Sequence, residues 1–229
     1  MDERKIMAPK LWIETAPLTR FSESIRSLRE ALFSQFQPNE KPVLVMSAPH
    51  KGDGCSTVTA NLAASCAHAG KKTLIIDGDI AGKGLDEIIG SSAKAGLLEY
   101  ITGAQKAGIS SVFERLDFLP AGSTTQGGHP FDSPRLKDII EEFRRNYDII
   151  FFDTPPVLNT SDAVVLGQKS TGLILVFRAG SFLREDELTT RELLDRSGVR
   201  IIGAIVNRSR EEDNDPYYTY QRLLEKKEK

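Results

Sequence analysis

The stretch that decides the reading is PVLVMSAPHKGDGCST, from Pro42 to Thr57. The apolar run Pro42 to Ala48 has the length of a buried strand, and a helical pattern begins at Ser56 and runs to Ala69. A strand, a glycine-rich turn and a helix are the setting of a phosphate-binding loop of the form GxxxxGK[ST]. The candidate nucleotide-binding residues are Gly52, Asp53, Gly54, Cys55, Ser56 and Thr57. Backbone N–H groups of the two glycines, Cys55 and Ser56 can surround a phosphate at a helix N-terminus. Ser56 is the candidate Mg2+ ligand, with Thr57 beside it. The motif departs from its pattern twice: Pro49 takes the first glycine position, and Cys55 stands where the lysine belongs. A neutral thiol supplies no charge near the β and γ phosphates, and a thiolate would repel them. Taken alone, the segment also reads as a plain glycine-rich turn between strand and helix.

Two acidic strand ends weigh against that plainer reading. Thr73 to Asp79 is TLIIDGD, and Tyr147 to Pro156 is YDIIFFDTPP. They place Asp77, Asp79 and Asp153 after apolar runs. In a parallel sheet, loops at one end of the strands converge on a crevice. Carboxylates gathered there can hold Mg2+ and orient a nucleophile. A lone aspartate at a strand end is more often a turn or cap, but three beside a glycine-rich turn form a set.

Outward from these segments, strands and helices alternate. Phe21 to Phe36 has apolar residues at three- and four-residue steps, with Thr19 or Ser22 as its cap. Gly82 and Gly84 mark a loop, and Gly96 to Ile101 begins a short helix. Leu116 to Pro120, Leu173 to Ala179 and Arg200 to Arg208 read as strands. Arg135 to Asn146 and Glu185 to Ser197 read as helices. The alternation predicts an α/β fold with a mostly parallel central sheet flanked by helices. Residues 1–17 read as an extension, loose or extended over Met1 to Thr15. The domain spans 18–208, and 209–229 is a charged tail with Tyr217, Tyr218 and Tyr220.

Composition narrows the function classes. The 229 residues carry 30 Lys and Arg against 32 Asp and Glu, a net charge of -2, which gives no general reason to bind nucleic acid. The two cysteines, Cys55 and Cys66, make no disulfide framework and fit a reducing cytoplasm. Cys66 reads as a packed helix residue. His50 and His129 are isolated and give no metal-site signal. No apolar run approaches the roughly 20 residues of a membrane span. A separate membrane partner is compatible with that.

Together these segments resemble the cytoplasmic catalytic domain of bacterial protein-tyrosine kinases, which regulate capsule and exopolysaccharide synthesis. GDGCSTVTANLA resembles the phosphate loop and following helix, KKTLIIDGD the second acidic motif, and NYDIIFFDTPPV the Walker B strand. FLPAG, LVFRAG and IIGAIVNR fall in matching order. The resemblance covers roughly Leu18 to Arg208 and implies the P-loop NTPase fold, with ATP or ADP and Mg2+ as cofactors. It implies that Asp77 assists the acceptor hydroxyl, Asp79 joins the acidic site and Asp153 positions Mg2+. Asn207 and Arg208 match a region near the nucleotide base. Glu23, Arg26 and Arg29 match the E-x-x-R-x-x-R motif of a helix that assembles subunits into a ring. Read as residues, they share a helix face and are equally a solvated charged face. Tyr217, Tyr218 and Tyr220 match the phosphoacceptor cluster, here sparse. A membrane adaptor, self-association and recruitment to the inner face of the membrane follow from the same resemblance.

The departures bear on activity. Cys55 replaces the lysine, and Ala81 stands where arginine is common. Lys51 lies four residues before the lysine position and one past the signature lysine position of partitioning and cell-division ATPases, where His50 stands. Three readings follow: a weak or active tyrosine autokinase, a catalytically degenerate regulatory or interaction module, and a nucleotide-dependent ATPase of the partitioning or positioning type.

Overall fold

The apolar run at 42–48 folds as β1, Val43–Ser47, with every residue buried. The computed structural model describes residues 11–82, 84–91, 95–103, 108–123, 129–180 and 184–209. The further strands are β2 (Thr73–Asp77), β3 (Ser110–Phe113), β4 (Leu116–Leu119), β5 (Ile149–Asp153), β6 (Gly172–Arg178) and β7 (Ile201–Asn207). They form one sheet in the order β3-β4-β2-β5-β1-β6-β7. All pairings are parallel except β3 with β4. Parallel pairing brings the C-terminal ends of β1, β2 and β5 together, and the register sets Asp77 directly beside Asp153.

Helices cover both faces: α1 (Trp12–Thr15), α2 (Arg20–Phe33), α3 (Cys55–His68), α4 (Gly84–Ile89), α5 (Leu97–Thr102), α6 (Arg135–Asn146), α7 (Asp162–Gln168) and α8 (Arg184–Ser197). Successive side chains of a strand point to opposite faces. Leu44 and Met46 of β1 accordingly join the layer holding Ile25, Leu32 and Leu62 of α2 and α3. Val43 and Val45 join the layer holding Leu136, Phe143, Leu166 and Leu194 of α6, α7 and α8. This is the α/β arrangement that the alternating pattern predicts. Burying each such side chain contributes about 1.5–3 kcal/mol.

The expected elements differ from the observed ones in instructive places. α2 stops at Phe33, three residues short of the predicted end, and Thr19 is its cap, accepting from Ser22 N at 3.4 Å. Residues 11–15 are not loose: Leu11 and Ile13 are buried, and Ile13 N donates to Asn61 Oδ1 of α3 at 3.0 Å. The glycines at 82 and 84 predict a loop, and α4 begins at the second of them; α7 and the antiparallel β3 carry no pattern that predicts them. The stretch at 73–79 is strand only to Asp77, because Asp79 begins a turn: Gly82 N donates to Asp79 O at 3.0 Å and to Asp79 Oδ1 at 2.9 Å. The segment 210–229, with Tyr217, Tyr218 and Tyr220, lies outside the described residues.

Candidate active site: a phosphate turn over two buried carboxylates

The turn between β1 and α3 is built on two left-handed glycines, Gly52 with φ 94° and Gly54 with φ 96°. At Gly54 the need is double, since a Cβ would come within 2.2 Å of Asn207 Nδ2. Asn207, at the end of β7, donates from that atom to Asp53 O at 2.8 Å. Asp53 is buried, and its Oδ2 accepts from His50 N at 3.2 Å. Both residues therefore brace the loop from within. Gly54 offers no side-chain cap to α3. The helix N-terminus, with its unpaired N–H groups and positive dipole end, points into the turn.

Beneath the turn lie Asp77 and Asp153, 1% and 2% exposed. Burial pushes the Asp77 carboxyl well above the ordinary carboxylate range, and the charge of Asp153 adds to the shift. Burial likewise raises Asp153, against hydrogen bonds from the side chains of Ser56 and Cys55. Thr59, one helical turn after Cys55, sits 3.4 Å from Asp153 Oδ1 and donates to Cys55 O at 2.9 Å. The geometry thus brings Ser56, Asp77 and Asp153 together as the sequence predicts. Asp79 stands beside them but is partly committed: its N–H donates to Asp77 Oδ1 at 2.9 Å, and its carboxylate holds Gly82 N.

Cys55 is half-buried, and its thiol turns down onto Asp153. Burial raises that thiol well above its ordinary value, and the neighbouring Asp153 and Asp53 charges raise it further, so it stays neutral. Lys51 is exposed on the turn. Thr57, on the first turn of α3, is half-buried and gives its C=O to Asn61. Two contacts have no counterpart in the sequence reading. Thr59 was detectable as a hydroxyl at i+4 from Cys55. The pair His50 Nε2–Asp186 Oδ2, at 3.0 Å, ties the turn to α8 and carries no local sequence signal.

Glu23, Arg26 and Arg29 of the E-x-x-R-x-x-R pattern lie on α2 with their charges engaged inside the chain. Glu23 pairs with Arg26, which also donates to Pro17 O at 2.7 Å. Arg29 donates to Ser65 O and Oγ of α3, each at 3.2 Å, and pairs with Glu30. Arg208 is exposed at the end of β7.

An uncapped helix start and two adjacent buried acids suit a phosphate chain with a divalent cation. The lysine position alone does not suit it. Comparison with known proteins agrees at the level of class, because residues 42–180 match the AAA domain family. The chain is 29% identical over 224 residues to the putative tyrosine-protein kinase CapB of Staphylococcus aureus, covering 96% of this chain and 98% of that one. It is 30% identical over 214 residues to the tyrosine-protein kinase YwqD of Bacillus subtilis, covering 90% and 89%. Some other matched relatives are longer, and the chain spans only 25% to 30% of their length. The kinase domain of Escherichia coli tyrosine kinase ETK superposes with a TM-score of 0.83 at 27% identity, over 95% of this chain and 86% of that one. The chain belongs to the bacterial tyrosine-protein kinase family of capsule and exopolysaccharide systems, on the P-loop ATPase fold.

Proposed function

We propose that the chain is a tyrosine-kinase-like regulator of capsular or extracellular polysaccharide synthesis and export, with phosphate transfer to tyrosine weak or lost. The observation that carries this reading is the neutral Cys55 thiol held on Asp153 at the lysine position. The phosphates of ATP or ADP would rest on the backbone N–H groups of Gly52 to Thr57. Mg2+ would be held by Ser56, Asp77 and Asp153, and would supply the positive charge that offsets the phosphates. Asp77 would take the proton of an acceptor hydroxyl, since burial has already raised its proton affinity. What the site lacks is a side-chain cation over the β and γ phosphates, a major electrostatic contribution to phosphoryl transfer.

Self-association through α2, a membrane adaptor and a cytoplasmic place at the inner face of the membrane belong to the same proposal. Among the described residues, no helix is long and apolar enough to cross a membrane. The test is MgATP binding by the full-length protein, followed by intact mass with Asp77→Ala as the control. Nucleotide binding with little or no labelling is the expected result. Robust labelling of Tyr217, Tyr218 and Tyr220, lost in the control, would restore full autokinase status. Failure to bind any nucleotide would reduce the chain to an interaction module.

A further inference from the structure

α8 meets the core along a narrow seam. Asp186, Thr190 and Leu194 stand four residues apart and so share one face of the helix. Thr190 and Leu194 are fully buried and Asp186 is half-buried, while residues 187–189 and 191–193 are exposed. The two ends of this seam are held differently. At the C-terminal end, Leu194 packs in the layer with Val43 and Leu166, and Gln168 of α7 donates from Nε2 to Ser197 O at 2.8 Å. Val199 is buried just beyond, and a Cβ on Gly167 of α7 would come within 2.8 Å of its Cγ1, so α7 and this end of the seam are in close contact. At the N-terminal end, the fastening to the phosphate turn is polar. It runs from His50 Nε2 to Asp186 Oδ2 at 3.0 Å, with the His50 side chain 45% exposed.

Between these ends lies a group that the closed arrangement does not satisfy. Thr190 is buried, and its Oγ1 has no hydrogen-bond partner among the described residues. A threonine inside a helix can bond the C=O four residues back, here that of Asp186, and this one does not. An unpaired buried hydroxyl costs free energy that contact with water would return. Among the described residues, the first two turns of α8 bury no apolar side chain to set against that cost.

His50 connects this helix to the ligand. Its backbone N–H donates to Asp53 Oδ2 at 3.2 Å, and it stands two residues before Gly52, the first N–H assigned to the phosphates. Nε2 carries at most one hydrogen, so it donates either to Asp186 or to a phosphate oxygen. Only the second arrangement gives the nucleotide that bond, and a ligand shifts a conformational equilibrium by such a difference.

We propose that α8 is a flap controlled by nucleotide, hinged near Ser197 and latched at its start by His50. A phosphate chain in the turn takes the His50 Nε2–H from Asp186. The first two turns of α8 then lift from the core and open Thr190 to water. The flap rests on the reading of the turn as a nucleotide site, and adds a route by which occupancy alters the outer surface of the domain.

Hydrogen exchange on the full-length protein tests the flap, read at the amides of 189–191 with those of 195–197 as reference. Two helical turns without packing are not stable alone, so lifting shows as fraying. Without nucleotide, His50→Ala should speed exchange at 189–191 about tenfold over the wild type and leave 195–197 unchanged. Equal rates overturn the latch. Thr190→Val removes the unpaired hydroxyl at nearly constant volume and should slow exchange at 189–191 several-fold. An unchanged or faster rate overturns the proposal. With saturating MgADP, the wild type should show slower exchange at 52–57 and about tenfold faster exchange at 189–191. His50→Ala should show only the first change. Protection of the turn with α8 unchanged overturns the flap and leaves the nucleotide site standing. No protection of the turn overturns the nucleotide reading itself, and the control of α8 by nucleotide with it.

Discussion

The two ends of α3 solve the same electrostatic problem in opposite ways. At its C-terminal end, carbonyls without helical partners carry negative charge, and Arg29 of α2 reaches Ser65 O and Oγ to meet it. That end is finished by the chain itself. At the N-terminal end, Gly54 provides no cap, Cys55 is neutral, and the nearest charges are the buried acids below. The N-terminus attracts an anion and the acids attract a cation, and the turn supplies a full-strength side chain to neither. A folded chain that leaves one such end open while closing the other has reserved it for ligands. The absence of a lysine there then distinguishes holding a nucleotide from using it.

The most forceful way to break the comparison is to supply the missing charge. Cys55→Lys should tighten MgATP binding about a hundredfold. A unit charge about 4 Å from a phosphate is worth roughly 4 kcal/mol at an effective dielectric of 20, and desolvation takes back part of that. Titration calorimetry reads the change. If binding is unchanged while Lys51→Ala abolishes it, then Lys51 already reaches over the phosphates and the open end is less open than its geometry indicates.

Removing the finished end should cost stability instead. Arg29→Ala deletes charge-assisted bonds to Ser65 from a side chain only 17% exposed. Such bonds contribute about 1.5–3 kcal/mol, so urea unfolding should show a loss near 2 kcal/mol. Arg26→Ala, which releases a partly exposed pair with Glu23, should cost less than about 1 kcal/mol. Self-association lost in Arg26→Ala at wild-type stability would assign Arg26 to assembly. Loss only in Arg29→Ala, alongside unfolding, would assign that effect to the α2–α3 seam.

Much of this was legible in advance, for physical reasons that differ by element. α6 was read to the residue because Leu136, Ile139, Ile140 and Phe143 follow the helical period and all are buried. The central strands were readable because strands covered on both faces are continuous apolar runs. β3 was missed because it is an edge strand with exposed or half-buried residues and no alternation. α1 was missed because Leu11 and Ile13 are held by α3, a contact without local signal. Within the site, Asp77 and Asp153 were identifiable, but sequence could not separate them from Asp53 and Asp79. Those two aspartates spend hydrogen bonds on their own turns. The roles diverge through distances that only the fold sets.

The acids themselves allow a finer test. Asp77→Asn keeps an oxygen for Asp79 N and removes a buried charge beside Asp153. The nucleotide-free protein at pH 8 should gain about 1.5 kcal/mol, because a neutral amide avoids the desolvation and repulsion that a buried carboxylate suffers. The same variant should lose the stabilisation that added Mg-nucleotide gives the wild type. A destabilised Asp77→Asn protein would mean that the two carboxyls share a proton productively, and that the N-terminal end is better satisfied than its burial indicates.

A small, pH-dependent effect lies at the finished end, in the second cysteine of α3. Cys66 is fully buried, and burial pushes its thiol up to about 12, with Arg29 and Lys71 pulling the other way and losing. The folded protein therefore binds this proton more tightly than the unfolded chain, whose thiol titrates near 9.0. Below that value both states are protonated and stability does not depend on this group. Above it the unfolded state gives up the proton first, so stability falls as pH rises, by up to 1.36 kcal/mol per unit. Between pH 8.5 and 10 the accumulated loss comes to about 1 kcal/mol. Tyr147, donating to Asp117 and also raised by burial, adds a similar trend at higher pH. Comparing the wild type with Cys66→Ala cancels it, since both proteins keep Tyr147 and Cys55. Urea unfolding at the two pH values should show the wild type losing about 1 kcal/mol more than Cys66→Ala. Equal losses would mean that the cations at this end do ionise the thiol in the folded protein. The arginine would then be answering a thiolate as well as the helix carbonyls, and the contrast between the two ends would have to be redrawn around their sulfur atoms.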